Sequence, residues 1–122
     1  MMEICVVSHS EEIAAGIQEL VSQMAEGLTI KAVGGIDGEI GTSIDAITAM
    51  FDEVEDEALV FYDIGSSKMN IEMALEMNDY SQITIAHYPL VEGAFLAGVE
   101  MMLGKSKDDI LESLKNNFKE KD

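Results

Sequence analysis

The feature that most constrains this chain is an alternation. Four short runs rich in β-branched and apolar residues, at 4–7, 28–33, 58–62 and 82–87, are each followed by a turn and then by apolar residues at helical spacing. Runs of that length and composition read as strands buried on both faces. Strands that alternate with helices imply a parallel sheet covered on both sides, with right-handed crossovers. The expected fold is a single α/β domain over residues 1–122. It is doubly wound around a mainly parallel four-stranded sheet of order 2-1-3-4, with one extra C-terminal helix.

The helix boundaries follow from capping residues and spacing. Ser8 or Ser10 suits the start of the first helix, and Glu11 and Glu12 suit the positive end of its dipole. Its expected core stripe is Ile13, Ile17, Leu20, Val21 and Met24, and Gly27 ends it. Thr42 or Ser43 caps a second helix with the stripe Ile44, Ile47, Met50, Phe51 and Val54. A third helix is expected from about Met69 to Asn78, with Met69, Met73 and Met77 read as core filler first and as a flexible docking surface second. Pro89 stands near the start of a fourth, which runs to about Leu103 before Gly104 breaks it. Ser106, with Asp109 three residues on, opens the last helix. Its stripe is Ile110, Leu111, Leu114 and Phe118.

Composition removes several function classes. Hydrophobic residues make up 48% of 122 residues, enough for a core without disulfide or metal staples. The single cysteine, Cys5, has no partner within the chain, which fits a reducing cytoplasmic setting. No apolar run approaches the roughly 20 residues that span a bilayer, and the start lacks the pattern of a secretory signal. The chain carries 24 acidic residues against 7 Lys plus Arg, a net charge of −17. Such a surface repels nucleic acid and anionic membranes and attracts a basic protein face.

Candidate chemistry gathers at the strand ends, where ligands sit in open parallel sheets. The first strand ends in Ser8-His9-Ser10 and the third leads into Asp63-Ile64-Gly65-Ser66. An order of 2-1-3-4 would set His9 beside Asp63 at the switch point. A histidine that attacks phosphorus needs one free ring nitrogen. A carboxylate on the other nitrogen fixes the tautomer and offsets the positive charge that grows on the ring. The helix start near Ser10 and the glycines at 34, 35, 38 and 41 offer backbone N–H groups to an anion. The plain alternatives are a helix-starting His9, a turn-forming Asp63 and a glycine loop that merely connects. His87 reads as structural.

Two other chemistries are disfavoured. The glycine loop lacks the Gly-Lys-Ser/Thr ending of a P-loop, and Asp37 and Glu39 within it repel free phosphates unless a metal intervenes. A hydrolase triad of His9, Asp63 and Ser8, Ser10 or Ser66 lacks the Gly-x-Ser-x-Gly elbow. No metal site is expected.

Three motifs in order carry a resemblance over essentially the whole chain. They are Val7-Ser8-His9-Ser10, the stretch from Gly34 through Gly41-Thr42-Ser43, and Tyr62-Asp63-Ile64-Gly65-Ser66 with Met69-Asn70 and Glu72-Met73-Ala74. Together they resemble the phosphotransferase subunits of dihydroxyacetone kinases that depend on the phosphotransferase system. More distantly, they resemble the IIA domains of mannose-type sugar transporters. The resemblance implies that His9 accepts phosphate from phospho-HPr and passes it to ADP held on a DhaL-type subunit. The regenerated ATP, held there with Mg, would serve dihydroxyacetone on a DhaK-type subunit. It implies no cofactor on this chain, Asp63 as support for His9, and Ser10, Gly41, Thr42, Ser43, Gly65 and Ser66 around the phosphate. Ile36 departs from the pattern, which has a hydroxyl residue there, and Asp37 stands where two acids are common. The resemblance also implies a homodimer, for which the last helix or Phe95, Val99 and Met102 of the fourth would supply the apolar face.

Overall fold

The computed structural model describes residues 2–121. Its elements are β1 (Met2–Ser8), α1 (Glu11–Met24), β2 (Ile30–Gly34), α2 (Ile44–Asp52), β3 (Glu57–Tyr62), α3 (Gly65–Met77), β4 (Ile83–Ile85), α4 (Leu90–Met102) and α5 (Lys107–Asn117). The strands form one parallel sheet in the order β2-β1-β3-β4, as expected. β1 is therefore central. Val7 pairs with Val33 on one side and with Tyr62 on the other, so the carboxyl ends of β1, β2 and β3 finish level.

Alternation along the strands divides the core into two layers. Ile4, Val6, Leu59 and Phe61 face α1, α4 and α5, where Ile17, Val21, Ala94, Ala97, Ile110 and Leu114 pack on them. Cys5, Val7, Val60 and Tyr62 face the other way, onto Ile47, Met50 and Phe51 of α2 and Ile71 and Ala74 of α3. Gly98 lets α4 approach α1 closely. A Cβ there would lie 2.8 Å from Cγ1 of Val21.

Ser10, Ser43 and Ser106 each accept the backbone N–H three residues on, so Ser10 rather than Ser8, and Ser43 rather than Thr42, caps its helix.

Several expectations need correction. The buried stripe of α1 is Ala14, Ile17 and Val21, continued by Ala25 at its C-cap, while Ile13, Leu20 and Met24 are exposed. Small residues face the sheet here because α1 lies close to β2 and α4. α3 begins at Gly65, four residues before the expected Met69, and ends at Met77 rather than Asn78. Its inner face is Ser67, Ile71 and Ala74. Met69, Met73 and Met77 point outward, 65%, 46% and 65% exposed, and are not core filler. Strand limits also move, with β1 longer than 4–7 and β4 reduced to Ile83–Ile85. On α5, Ile110 and Leu114 are fully buried against the sheet layer, while Leu111 and Phe118 of the same stripe are only partly buried. Phe95 and Met102 of α4 remain partly exposed. Among the described residues, no helix is long and apolar enough to cross a membrane.

Candidate functional site

β1 and β3 are neighbours whose following helices leave toward opposite faces, which opens a crevice beyond their ends. His9 is the first residue after β1 and Asp63 the first after β3. Nδ1 of His9 lies 3.0 Å from Oδ1 of Asp63, with the two side chains 15% and 17% exposed. A carboxylate only accepts hydrogen bonds, so this contact assigns the ring proton to Nδ1 and leaves the lone pair on Nε2.

Asp63 is held on every side. Its Oδ2 accepts the backbone N–H of His9 and the Ser8 hydroxyl, each at 2.8 Å. Its Oδ1 accepts the Ser67 hydroxyl at 2.8 Å and the backbone N–H of Ile64 at 2.7 Å, besides the His9 ring. Partial burial alone would raise this carboxyl. The N–H of His9, its ring and the hydroxyls of Ser8 and Ser67 outweigh burial and hold the group well below the usual carboxylate range. Asp63 is thus a fixed negative charge, unsuited to proton transfer near neutrality.

On the outer side of the ring, Nε2 lies 2.5 Å from the Ser66 hydroxyl in the first turn of α3. That turn starts at Gly65 without a side-chain cap, and its Ser66 and Ser67 hydroxyls bring the positive end of the helix dipole close to the His9 ring. Ser67, fully buried, also lies 2.9 Å from Nδ1. Gly41 comes in through its backbone, donating to the His9 carbonyl at 2.8 Å. Gly34 lets β2 close on the α1 start, since a Cβ there would lie 2.5 Å from the Ser10 carbonyl oxygen.

The sequence-predicted residues therefore separate into two groups. His9, Asp63, Gly65, Ser66 and Gly41 converge. The hydroxyls of Ser10 and Ser43 cap helices, and that of Thr42 accepts from Asn70 of α3, which ties α3 to the turn before α2. Ser67 and Lys121 were not singled out from sequence, and Ser8 and Asn70 stood there only as a cap or triad alternative and within motifs, not as partners of Asp63 and Thr42. Ser67 follows Asp63 by four residues, the one of these signals that spacing could have given. Lys121, 58 residues from Asp63, donates to its carbonyl at 2.7 Å. His87 hydrogen-bonds the Tyr62 hydroxyl at 3.0 Å.

The surroundings are acidic. A cleft of about 260 Å³ between the start of α1 and the glycine loop is lined by Glu11, Glu12 and Glu39, an unfavourable place for a free nucleotide. A cleft of about 440 Å³ along β2, lined by Gln18, Lys31 and Glu53 among others, shares no residue with the His9 cluster. Chemistry assigns the site here, not cavity size.

A parallel sheet whose central strand ends in a histidine clamped by the carboxylate after its neighbour strand is a doubly wound α/β domain with its candidate site at the switch point. The sequence profile of EIIA-man, the PTS system fructose IIA component, matches residues 3–111, and the chain belongs to this family. Within it, the likeness runs to the DhaM subunits of PTS-dependent dihydroxyacetone kinase. The chain is 40% identical over 120 residues, 97% of each chain, to the phosphotransferase subunit DhaM from Lactococcus lactis. It is 38% identical over 125 residues to a phosphoryl donor subunit DhaM of Listeria innocua, covering 95% of this chain and 98% of that one. Among solved structures, a protein of unknown function, EF1359, superposes with a TM-score of 0.87 at 32% identity, covering 94% of this chain and 93% of that one.

Proposed function

We propose that this chain is the phosphoryl relay of a dihydroxyacetone kinase and that Nε2 of His9 carries the phosphoryl group. The observation that carries the reading is the His9–Asp63 clamp, which fixes the proton on Nδ1 and turns Nε2 outward. In the forward step the Nε2 lone pair attacks phosphorus on phospho-HPr. The donor's P–N bond breaks as the His9 N–P bond forms, and the released donor imidazole takes up a proton. Asp63 offsets the ring's positive charge, and the start of α3 faces the phosphoryl oxygens. In the second step ADP attacks the same phosphorus and His9 leaves as the neutral ring.

The ADP, with its Mg, is held by a DhaL-type subunit, and the ATP formed serves a DhaK-type subunit. This chain holds no cofactor of its own. The acidic cleft beside His9 supports that division, because it disfavours free nucleotide. The relay works in the cytoplasm as a homodimer, with Phe95, Val99 and Met102 of α4 offering the apolar face.

Incubation with phosphoenolpyruvate, enzyme I and HPr is expected to place acid-labile phosphate on the chain, and His9→Ala to abolish it. Normal labelling of His9→Ala would overturn the assignment. The family profile, described as a sugar IIA component, favours a second reading in which the recipient is a IIB protein. Offering labelled chain to ADP-loaded DhaL-type subunit and to a IIB protein separates the two by which one drains the label.

A further inference from the structure

We propose that Lys121 is a positioning residue for the His9–Asp63 pair, holding the backbone that carries Asp63 and setting a positive charge behind it. The inference rests on the relay reading of His9. Three elements meet at this lysine. The chain leaves α5 with Phe118 packed on the core, and the backbone N–H of Lys121 donates to the His87 carbonyl beyond β4 at 2.7 Å. The Nζ then donates to the carbonyl of Tyr62 at 2.8 Å and to that of Asp63 at 2.7 Å. It also lies 4.3 Å from the centre of the Tyr62 ring, a cation–π contact.

These carbonyls stand where the ladder between β1 and β3 stops at Tyr62. Past that point, Asp63 depends on its side-chain donors and on Lys121. Both Asp63 oxygens are committed, so a shift of this peptide moves the whole clamp and re-aims the His9 ring. Small displacements of a reacting group are costly in rate.

The charge has its own effect. Burial pulls the Lys121 ammonium down, and the Asp63 carboxylate acts against that, so the two groups sense each other. Phosphorylation adds roughly two negative charges to a region already crowded with acids. A cation bonded to the Asp63 backbone lowers that electrostatic cost without approaching the donor.

The test uses Lys121→Met and Lys121→Arg in the full chain. His9 labelling is measured with two donors, phospho-HPr and potassium phosphoramidate, a small molecule that makes no protein contact. Lys121→Met is expected to lower the maximal rate about tenfold with both donors, the scale on which groups that orient reactive ones act. The half-saturating concentration of phospho-HPr and the unfolding midpoint should stay near wild type. Lys121→Arg should restore most of the rate, because a guanidinium can bond both carbonyls.

Wild-type rates in Lys121→Met would overturn the proposal. So would a loss confined to phospho-HPr, which would mark Lys121 as a docking contact, or equal losses in both variants with a lowered unfolding midpoint. If the wild-type chain takes phosphate from phosphoramidate but not from phospho-HPr, the relay reading fails while the small donor still reads Lys121.

Discussion

Asp63 receives five hydrogen bonds, from Ser8, the His9 backbone, the His9 ring, Ile64 and Ser67. An amide at this position would turn one acceptor oxygen into a donor facing other donors. Asp63→Asn is therefore expected to slow His9 labelling by about 10²-fold or more while the chain stays folded, read by phosphate incorporation and circular dichroism. The same bonds make a pH prediction. A carboxyl held below its unfolded value stabilises the fold fully above that value, about 3.9 for aspartate, and loses its contribution as pH falls toward the folded value. Wild-type stability should thus fall as pH drops below about 4, and Asp63→Asn should flatten that limb in urea titrations taken at several pH values. The pairing of His9 with Asp63 was legible because each follows a strand, and in a parallel sheet of order 2-1-3-4 those two strand ends are neighbours. Ser8, Ser67 and Lys121 were not. A buried serine carries no hydrophobic signal, and a lysine after the last helix gives no local sign of where its ammonium ends.

Among the elements, α3 shows why some of the fold escaped reading. Its first turn, Gly65-Ser66-Ser67, has weak intrinsic helix preference and no capping side chain, so the spacing of the methionines stood out and suggested a later start. What holds α3 is Ile71 and two small residues against the sheet, leaving its methionines in solvent. Replacing Met69 and Met73 by Gln is expected to change folding stability by less than about 0.5 kcal/mol, measured by urea denaturation. α1 repeats the lesson, since Ala14 and Ala25 are buried where Ile13 and Met24 are not. Gly98 of α4 is the opposite case, a position with no room. Gly98→Ala should cost about 1–3 kcal/mol of stability, because Val21 of α1 and the sheet behind it cannot retreat freely. Alternation pointed to a parallel doubly wound sheet without fixing by itself which strands are neighbours, whereas β4 was overextended because its apolar residues continue past the point where pairing ends.

For the whole molecule, charge and burial act at different ranges. A net charge of −17 works against compaction and favours encounter with a basic partner. Salt should therefore raise the thermal midpoint and also slow transfer from phospho-HPr, two responses of opposite sign to one variable, read by calorimetry and by stopped labelling. Cys5 lies at the other extreme. It is fully buried in the central strand, and burial first, then Glu3, against an opposing effect of Lys31, pushes its thiol up to about 12. A thiol reagent at pH 8 is expected to find almost no reactive thiolate in the folded chain. β1 has a hydrogen-bonded neighbour on each side and a helical layer on each face, so Cys5 is reached only when the sheet itself parts. With reagent in excess, this lone thiol keeps time for the molecule, and each labelling event marks one complete opening. The lifetime of the native state can be followed at an atom that takes no part in its chemistry.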